Sequence, residues 1–238
     1  MLGRIVTDVA IVAVLGVGAY KTKALDWRGT VSAALLGLAV LELGGVYPFL
    51  ALLTFVVLGV LATKYRYEEK KRRGVAQSNG GVRSWGNVLG NGLAVVLFLV
   101  IEKLTMMDTF WAGTFSAIAT VNGDTLASEL GKVFGKRPRL ITNLRPVKPG
   151  VNGGVSLAGE LFALIGSLVI ALFALPLTEY KGQMLLAVVT GGFIGVNLDS
   201  LIGATLENWG VTDNNSTNFL ASLLGGLAGA GLFYLLLQ

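Results

Sequence analysis

A chain of 238 residues that is 53% hydrophobic and only 14% charged, with net charge +5 and mean hydropathy +0.70, cannot cover itself for water; a soluble domain carries roughly 25% charged residues. Cysteine and histidine are both absent, which excludes disulfides, thiol nucleophiles, Cys/His zinc sites and imidazole acid–base chemistry. Chemistry is left to carboxylates, amides, hydroxyls and Lys/Arg, and oxygen ligands of that kind suit a hard ion such as Mg²⁺.

In a bilayer only helices and closed barrels satisfy the backbone, and the apolar runs here are long and continuous, so the expected fold is all-α, a polytopic transmembrane helical bundle. A span needs about 20 mostly apolar residues. Eight candidates follow along the chain: 5–20, 29–46, 47–63, 86–101, 108–126, 156–176, 183–205 and 218–237. The first carries Asp8; it is taken as a span and not a signal peptide, because Tyr20-Lys21 stands where a small-residue cleavage site belongs. Gly44-Gly45 and Pro48 make a tight turn between the second and third. With no whole-chain repeat, residues 1–238 are expected to form one integral membrane domain with two long loops at 64–85 and 132–155.

The charges orient it. Of the 19 Lys and Arg, 16 fall after the first, third and fifth spans. The positive-inside rule therefore puts these loops in the cytoplasm and both termini outside, so the polar chemistry is expected to face the cytoplasm; the expected location is a prokaryotic cell membrane. The run Lys64-Tyr65-Arg66-Tyr67-Glu68-Glu69-Lys70-Lys71-Arg72-Arg73 is expected to extend the third span as a helix until Gly74. It serves first as an anchor on anionic lipid. The alternative is a grip on a polyanionic substrate. No nucleic-acid partner is expected.

The fifth span ends in Asn122-Gly123-Asp124-Thr125-Leu126-Ala127-Ser128-Glu129-Leu130-Gly131-Lys132. Asn122-Gly123 is expected to loosen or break the helix. Carboxylates in or near spans are costly and usually functional, against the plainer reading of a capped, solvated helix end. The following loop combines Lys132, Lys136, Arg137, Arg139, Arg145 and Lys148 with three prolines and ends in Asn152-Gly153-Gly154 before Ser156 opens the sixth span. Glycines free backbone N–H groups for an anion and a helix start adds its positive end, so this loop is a candidate phosphate site. The seventh span places Gly192, Gly195, Asp199, Gly203 and Glu207 on one stripe. Asp199 and Glu207 are about 12 Å apart along a helix axis, so Asp124 with Asp199, from different helices, is the better pair for Mg²⁺. Asn91 opens the fourth span on the same face. Acidic groups for a metal beside cations and glycines for phosphate are what phosphoryl transfer needs, and a site at the membrane face admits a lipid substrate sideways.

Asp124-Thr125-Leu126-Ala127-Ser128-Glu129-Leu130-Gly131, Pro138-Arg139-Leu140-Ile141-Thr142, Arg145-Pro146-Val147 and Pro149-Gly150-Val151-Asn152-Gly153-Gly154-Val155-Ser156 resemble, in order, the motifs of one integral membrane family. It contains plant phytyl-phosphate kinase, animal transmembrane protein 19 and archaeal and bacterial relatives. One departure from the family's pattern is Leu126, where many relatives carry Trp. The resemblance implies a kinase that converts an isoprenyl monophosphate (phytyl or geranylgeranyl type) to its diphosphate, with CTP as the expected nucleoside triphosphate. It places functional weight on Asn91, Asp124, Glu129, Arg139, Arg145, Asn152, Gly153, Gly154 and Asp199. The expected site is therefore Asp124, Glu129 and Asp199 for catalysis, with Asp124 and Asp199 on the metal. Asn91, Lys136, Arg137, Arg139, Arg145, Asn152, Gly153, Gly154 and Ser156 are expected on nucleotide and phosphate. Two other activities stay open: a transporter relaying cations through Asp8, Glu42 and Asp199, and a CTP-dependent lipid cytidylyltransferase.

Overall fold

The computed structural model describes residues 2–238, apart from the side chains of Leu2 and Arg4. Nine α-helices run in the order α1 (Leu2–Lys21), α2 (Trp27–Gly44), α3 (Val46–Lys64), α4 (Tyr67–Arg72), α5 (Trp85–Thr105), α6 (Thr109–Phe134), α7 (Leu157–Ala171), α8 (Lys181–Ile202) and α9 (Asn214–Leu236) among these residues. A 3-10 segment, Leu172–Leu177, continues α7, and a π-helical turn, Gly203–Glu207, continues α8. Each of the eight expected spans overlaps one long helix. Among the described residues five stand out as candidate spans on length and apolar composition alone: Val46–Lys64, Trp85–Thr105, Leu157–Leu177, Lys181–Glu207 and Asn214–Leu236. The other three of the eight expected spans, α1, α2 and α6, are long helices that fall below that measure. The physical reason is clearest for α6. It is wrapped by α3, α5, α7, α8 and α9, so it needs no lipid-facing apolar skin and is built of Gly, Ala, Ser and Thr instead.

Small residues set the packing, as they do where lipid offers no hydrophobic drive between helices. A Cβ on Gly191 of α8 would lie 2.7 Å from both Gly229 Cα of α9 and Ser116 Oγ of α6. A fully apolar cluster around Phe98, Leu99, Phe115, Ile118, Met184 and Phe233 fills the bundle beside these crossings. Asn122-Gly123 does not break α6, contrary to the sequence reading. Asn122 Nδ2 donates to Gly166 O at 2.9 Å, and a Cβ at Gly123 would stand 3.0 Å from Ala163 O and Val196 Cγ2. The pair is spent on close packing against α7 and α8.

The basic run after α3 is likewise no continuation of the helix. Tyr65 takes ψ 120 and Arg66 the left-handed conformation at φ 48, so α4 starts in a new direction. The folded-back α4 buries Lys70 completely. Its ammonium donates to Ala62 O at 3.0 Å and Thr63 O at 2.8 Å, carbonyls that the end of α3 leaves unpaired. The 135–156 loop is also more ordered than three prolines and a glycine end suggest. β1 (Arg139–Leu140) pairs antiparallel with β2 (Gly154–Val155), and Leu140 N donates to Arg145 O and Val147 N to Pro138 O at 2.9 and 3.0 Å.

Candidate functional site

The C-terminal ends of α3, α6 and α8 and the N-terminal ends of α5, α7 and α9 surround one cleft of about 960 Å³. The two long loops close over it, touching where Gly150, at φ +85, sits 3.1 Å (Cβ position) from Val75. Eight of the twelve residues expected from sequence line this cleft: Asn91, Asp124, Glu129, Asn152, Gly153, Gly154, Ser156 and Asp199. Lys136, Arg137, Arg139 and Arg145 do not. Arg139 stays on the hairpin, donating to Leu144 O at 2.8 Å, and all four are exposed. The cations that do line the cleft are Arg73, Arg83, Lys132 and Lys148. Sequence reading missed Arg83 because it looked like one more charge of a topogenic loop.

Asp124, on α6, and Asp199, on α8, are half-buried in the cleft walls. Asp199 lies within the field of Asp124. Among the described residues neither forms an ion pair, and Asp124 has no hydrogen-bond partner. Asp199 Oδ2 is reached by Asn218 of α9 at 3.2 Å with that amide turned to donate. Glu207, on the π turn, is held by Asn152 Nδ2 at 2.9 Å and Thr217 Oγ1 at 3.1 Å. Glu129 is different. One carboxylate oxygen accepts from the buried Lys70 and the other from Lys132 at 2.8 Å, so both are committed to cations of the protein. The Glu129–Lys70 pair, 59 residues apart, ties the third loop to α6 and was hidden in a run that reads as surface charge.

Arg83 enters from the residue pair that precedes α5. Its backbone is fixed by Arg83 N donating to Ala24 O and Asp26 N donating to Arg83 O, both at 3.0 Å. Its guanidinium lies over the Phe55 ring, 5.5 Å from the centroid, in the space that a side chain at Gly59 would occupy, 3.0 Å from Nη2. Burial lowers its pKa from the ordinary value, while the charges of Glu129 and Asp124 oppose this. Among the described residues it has no ion pair and no side-chain hydrogen bond. Close by, Asn87 Nδ2 donates to Asn215 Oδ1 at 3.0 Å.

The glycine-rich end of the hairpin is fitted to α8. Gly153, at φ +74, carries its missing side chain towards Ser200 O, 2.7 Å from the Cβ position, and Ala204. Ser156 caps α7 by accepting from Gly159 N at 3.2 Å. Among the described residues no group of three or more Asp and Glu stands close enough to hold a metal alone. Two carboxylates on neighbouring helices, free of ion pairs, are what a Mg²⁺ shared with phosphates takes. Of the three carboxylates a cation relay would use, Asp199 alone lines the cleft; Glu42 is exposed on α2 and Asp8 lies on α1.

Residues 10–226 match the family described as "Integral membrane protein DUF92". An uncharacterized membrane protein of Methanocaldococcus jannaschii is 33% identical over 232 residues, covering 97% of this chain and 94% of the relative. Protein PGR of Arabidopsis thaliana is 30% identical over 269 residues, covering 93% of each. Protein VTE6, chloroplastic, of the same plant is 29% identical over 222 residues, covering 90% of this chain and 67% of the relative. No solved structure matches.

Proposed function

The chain belongs to the integral membrane protein family DUF92, and from that premise we propose that it is a kinase of isoprenyl monophosphates, using CTP and Mg²⁺ at the cytoplasmic membrane face. The observation that carries the proposal is the pair Asp124 and Asp199, outside any ion pair among the described residues, lining one cleft with Arg83, Lys132 and Lys148 at the ends of membrane helices. The motif resemblance to the family of plant phytyl-phosphate kinase supports the prenyl substrate, and CTP is taken from the same resemblance. The 16 Lys and Arg on alternate loops support the cytoplasmic side.

Phosphoryl transfer asks little covalent work of a protein; positioning and charge compensation supply most of the rate. A terminal oxygen of the prenyl monophosphate attacks the γ-phosphorus of the nucleotide. A P–O bond forms, the β–γ bridging bond breaks, and the nucleoside diphosphate leaves while the lipid keeps the new phosphate. A phosphate monoester is largely dianionic at pH 7, with a second pKa of about 6, so the attacking oxygen needs no general base. This accords with a chain without histidine. Asp124 and Asp199 would hold a Mg²⁺, which when bound would offset the charge of the nucleotide phosphates. Lys132 and Lys148 take the remaining phosphate charge. Glu129 positions Lys132 and anchors Lys70, and does not touch the reacting atoms. The turn Gly150–Gly154 holds the nucleotide side of the cleft.

The test is incubation of the purified protein with CTP, Mg²⁺ and geranylgeranyl or phytyl monophosphate, with products identified by mass. Prenyl diphosphate with CDP is the expected outcome. Pyrophosphate with a CMP-bearing lipid would instead assign a cytidylyltransferase, and absence of any lipid product would end the proposal.

A further inference from the structure

A second cleft, of about 450 Å³, lies between α1, α2, α3 and α5. Its walls are almost wholly apolar, with Gly16, Gly18, Ala33, Ala34 and Gly37 leaving room between the helices. Along α3 it extends from Phe49 to Leu61, about 18 Å of helix. Val14, Val57 and Leu61 on its lining are exposed on the outer face of the bundle, so it opens towards lipid. Three polar residues line it, Arg83, Asn87 and Asn91, apart from Thr22 at its rim, and these same three line the phosphate cleft as well. The two spaces therefore share one polar junction.

We propose that this apolar cleft seats the hydrocarbon tail of an isoprenyl monophosphate, with Arg83, Asn87 and Asn91 at the junction receiving its phosphate. The proposal rests on the kinase reading above and adds where the acceptor lies. The junction has the required chemistry. Arg83 is a guanidinium with no ion pair or side-chain hydrogen bond among the described residues, half-buried and stacked on Phe55. A half-buried, unpaired guanidinium is unfavourable until an anion reaches it, and its forked donors suit phosphate. Asn87 and Asn91 stand one turn apart on the first turns of α5, where the helix presents its positive end. Geometry adds a direction. The tail enters from the bilayer through the gap between α1 and α3, and α1 packs chiefly on α2, leaving that gap uncovered. A phosphate held at Arg83 then faces the wall that carries Asp124 and Lys132. Prenyl specificity thus comes from the α1–α3 side of the protein and nucleotide specificity from the 138–156 hairpin, two separate walls of a continuous space.

Equilibrium binding of tritiated geranylgeranyl monophosphate to the detergent-purified full chain, without nucleotide, tests this. The cleft is filled by Gly18→Leu, where a Cβ meets nothing within 4 Å, and independently by Ala34→Leu. Gly231→Leu, equally open but outside the cleft, is the control. Wild type and Gly231→Leu should bind alike. Both filled variants should bind geranylgeranyl monophosphate about tenfold or more weakly, while dimethylallyl monophosphate, measured by competition, changes little. Arg83→Gln should weaken binding of both monophosphates and leave geranylgeraniol unaffected. Unchanged geranylgeranyl affinity in both filled variants, with wild-type melting temperatures, would overturn the tail site. Wild-type turnover on prenyl monophosphate, measured in parallel, decides the kinase reading separately. If wild type neither binds nor turns over a prenyl monophosphate, both fall.

Discussion

Lys70 and Glu129 offer the sharpest probe of how the loop chemistry is tied to the bundle. The Lys70 side chain is 0% exposed and that of Glu129 4%, and they come from segments 59 residues apart in the chain. Glu129→Gln removes the charge that balances a completely buried ammonium and leaves Lys132 beside it unpaired. Removing one member of a buried pair costs about 3–5 kcal/mol, because the surviving charge stays desolvated. For a chain of this size 1 kcal/mol corresponds to roughly 2–4 °C, so a fall in melting temperature of the order of 10 °C is expected for Glu129→Gln. Lys70→Met should cost less, since Lys132 still answers Glu129 at 2.8 Å. The double variant Lys70→Met/Glu129→Gln should recover part of the loss, because no charge is then buried alone. The assay is thermal unfolding in detergent, followed by tryptophan fluorescence, with turnover measured per folded molecule below the transition. A Glu129→Gln variant that melts like wild type but has lost a hundredfold in turnover would refute the assignment and return Glu129 to the reacting centre.

Three further outcomes are expected. Asp26 and Asp213 cap α2 and α9, and both carboxyls are held below their ordinary pKa, chiefly by the Gly29 amide and the Ser216 side chain respectively. Their contribution to stability is therefore complete above an unfolded pKa of about 3.9 and is lost as pH falls through the lower folded values. Wild type should exceed Asp213→Asn in melting temperature at pH 6, and the gap should close below about pH 4; a gap that widens in acid would refute the sign. Gly153→Ala forces a side chain at φ +74 against Ser200 O and should lower turnover by displacing the hairpin from α8, with little effect on a melting temperature set by the helices; unchanged turnover would show that the fit is incidental. Single cysteines at Gln77 and Gln238 should react from opposite sides of the membrane, and labelling from one side would contradict the orientation drawn from the charges.

Much of the bundle is legible in the chain because a spanning helix writes itself as a continuous apolar run, and the Lys/Arg asymmetry then numbers the loops. Composition alone misjudges α6. Its Gly, Ala, Ser and Thr residues read as a weak span, yet they allow five neighbours to approach. The acidic pair Asp124 and Asp199 and the Asn152-Gly153-Gly154 turn are legible because carboxylates near a bilayer and consecutive glycines both need a reason. The cations are not. Lys136, Arg137, Arg139 and Arg145 are as basic in sequence as Arg73, Arg83, Lys132 and Lys148, and only the β1–β2 hairpin decides which four face away. Lys70 is hidden for a similar reason. One left-handed residue, Arg66, turns α4 back on α3, and no composition rule foresees a non-glycine residue adopting that backbone. Asn122-Gly123 misleads in the opposite sense, since tertiary packing overrides the local preference of glycine to interrupt a helix.

The central claim is that the cleft between α6 and α8 moves a phosphoryl group with a metal held by Asp124 and Asp199. It is tested most directly by turnover of folded, detergent-purified Asp124→Asn and Asp199→Asn across a Mg²⁺ titration. Each exchange keeps size and removes one charge-assisted ligand. The expected loss is about 3 kcal/mol of transition-state stabilisation, roughly a hundredfold in rate, with the Mg²⁺ requirement shifted to higher concentration. Near-wild-type rates with unchanged Mg²⁺ dependence in both variants would contradict it and remove the pair from the site.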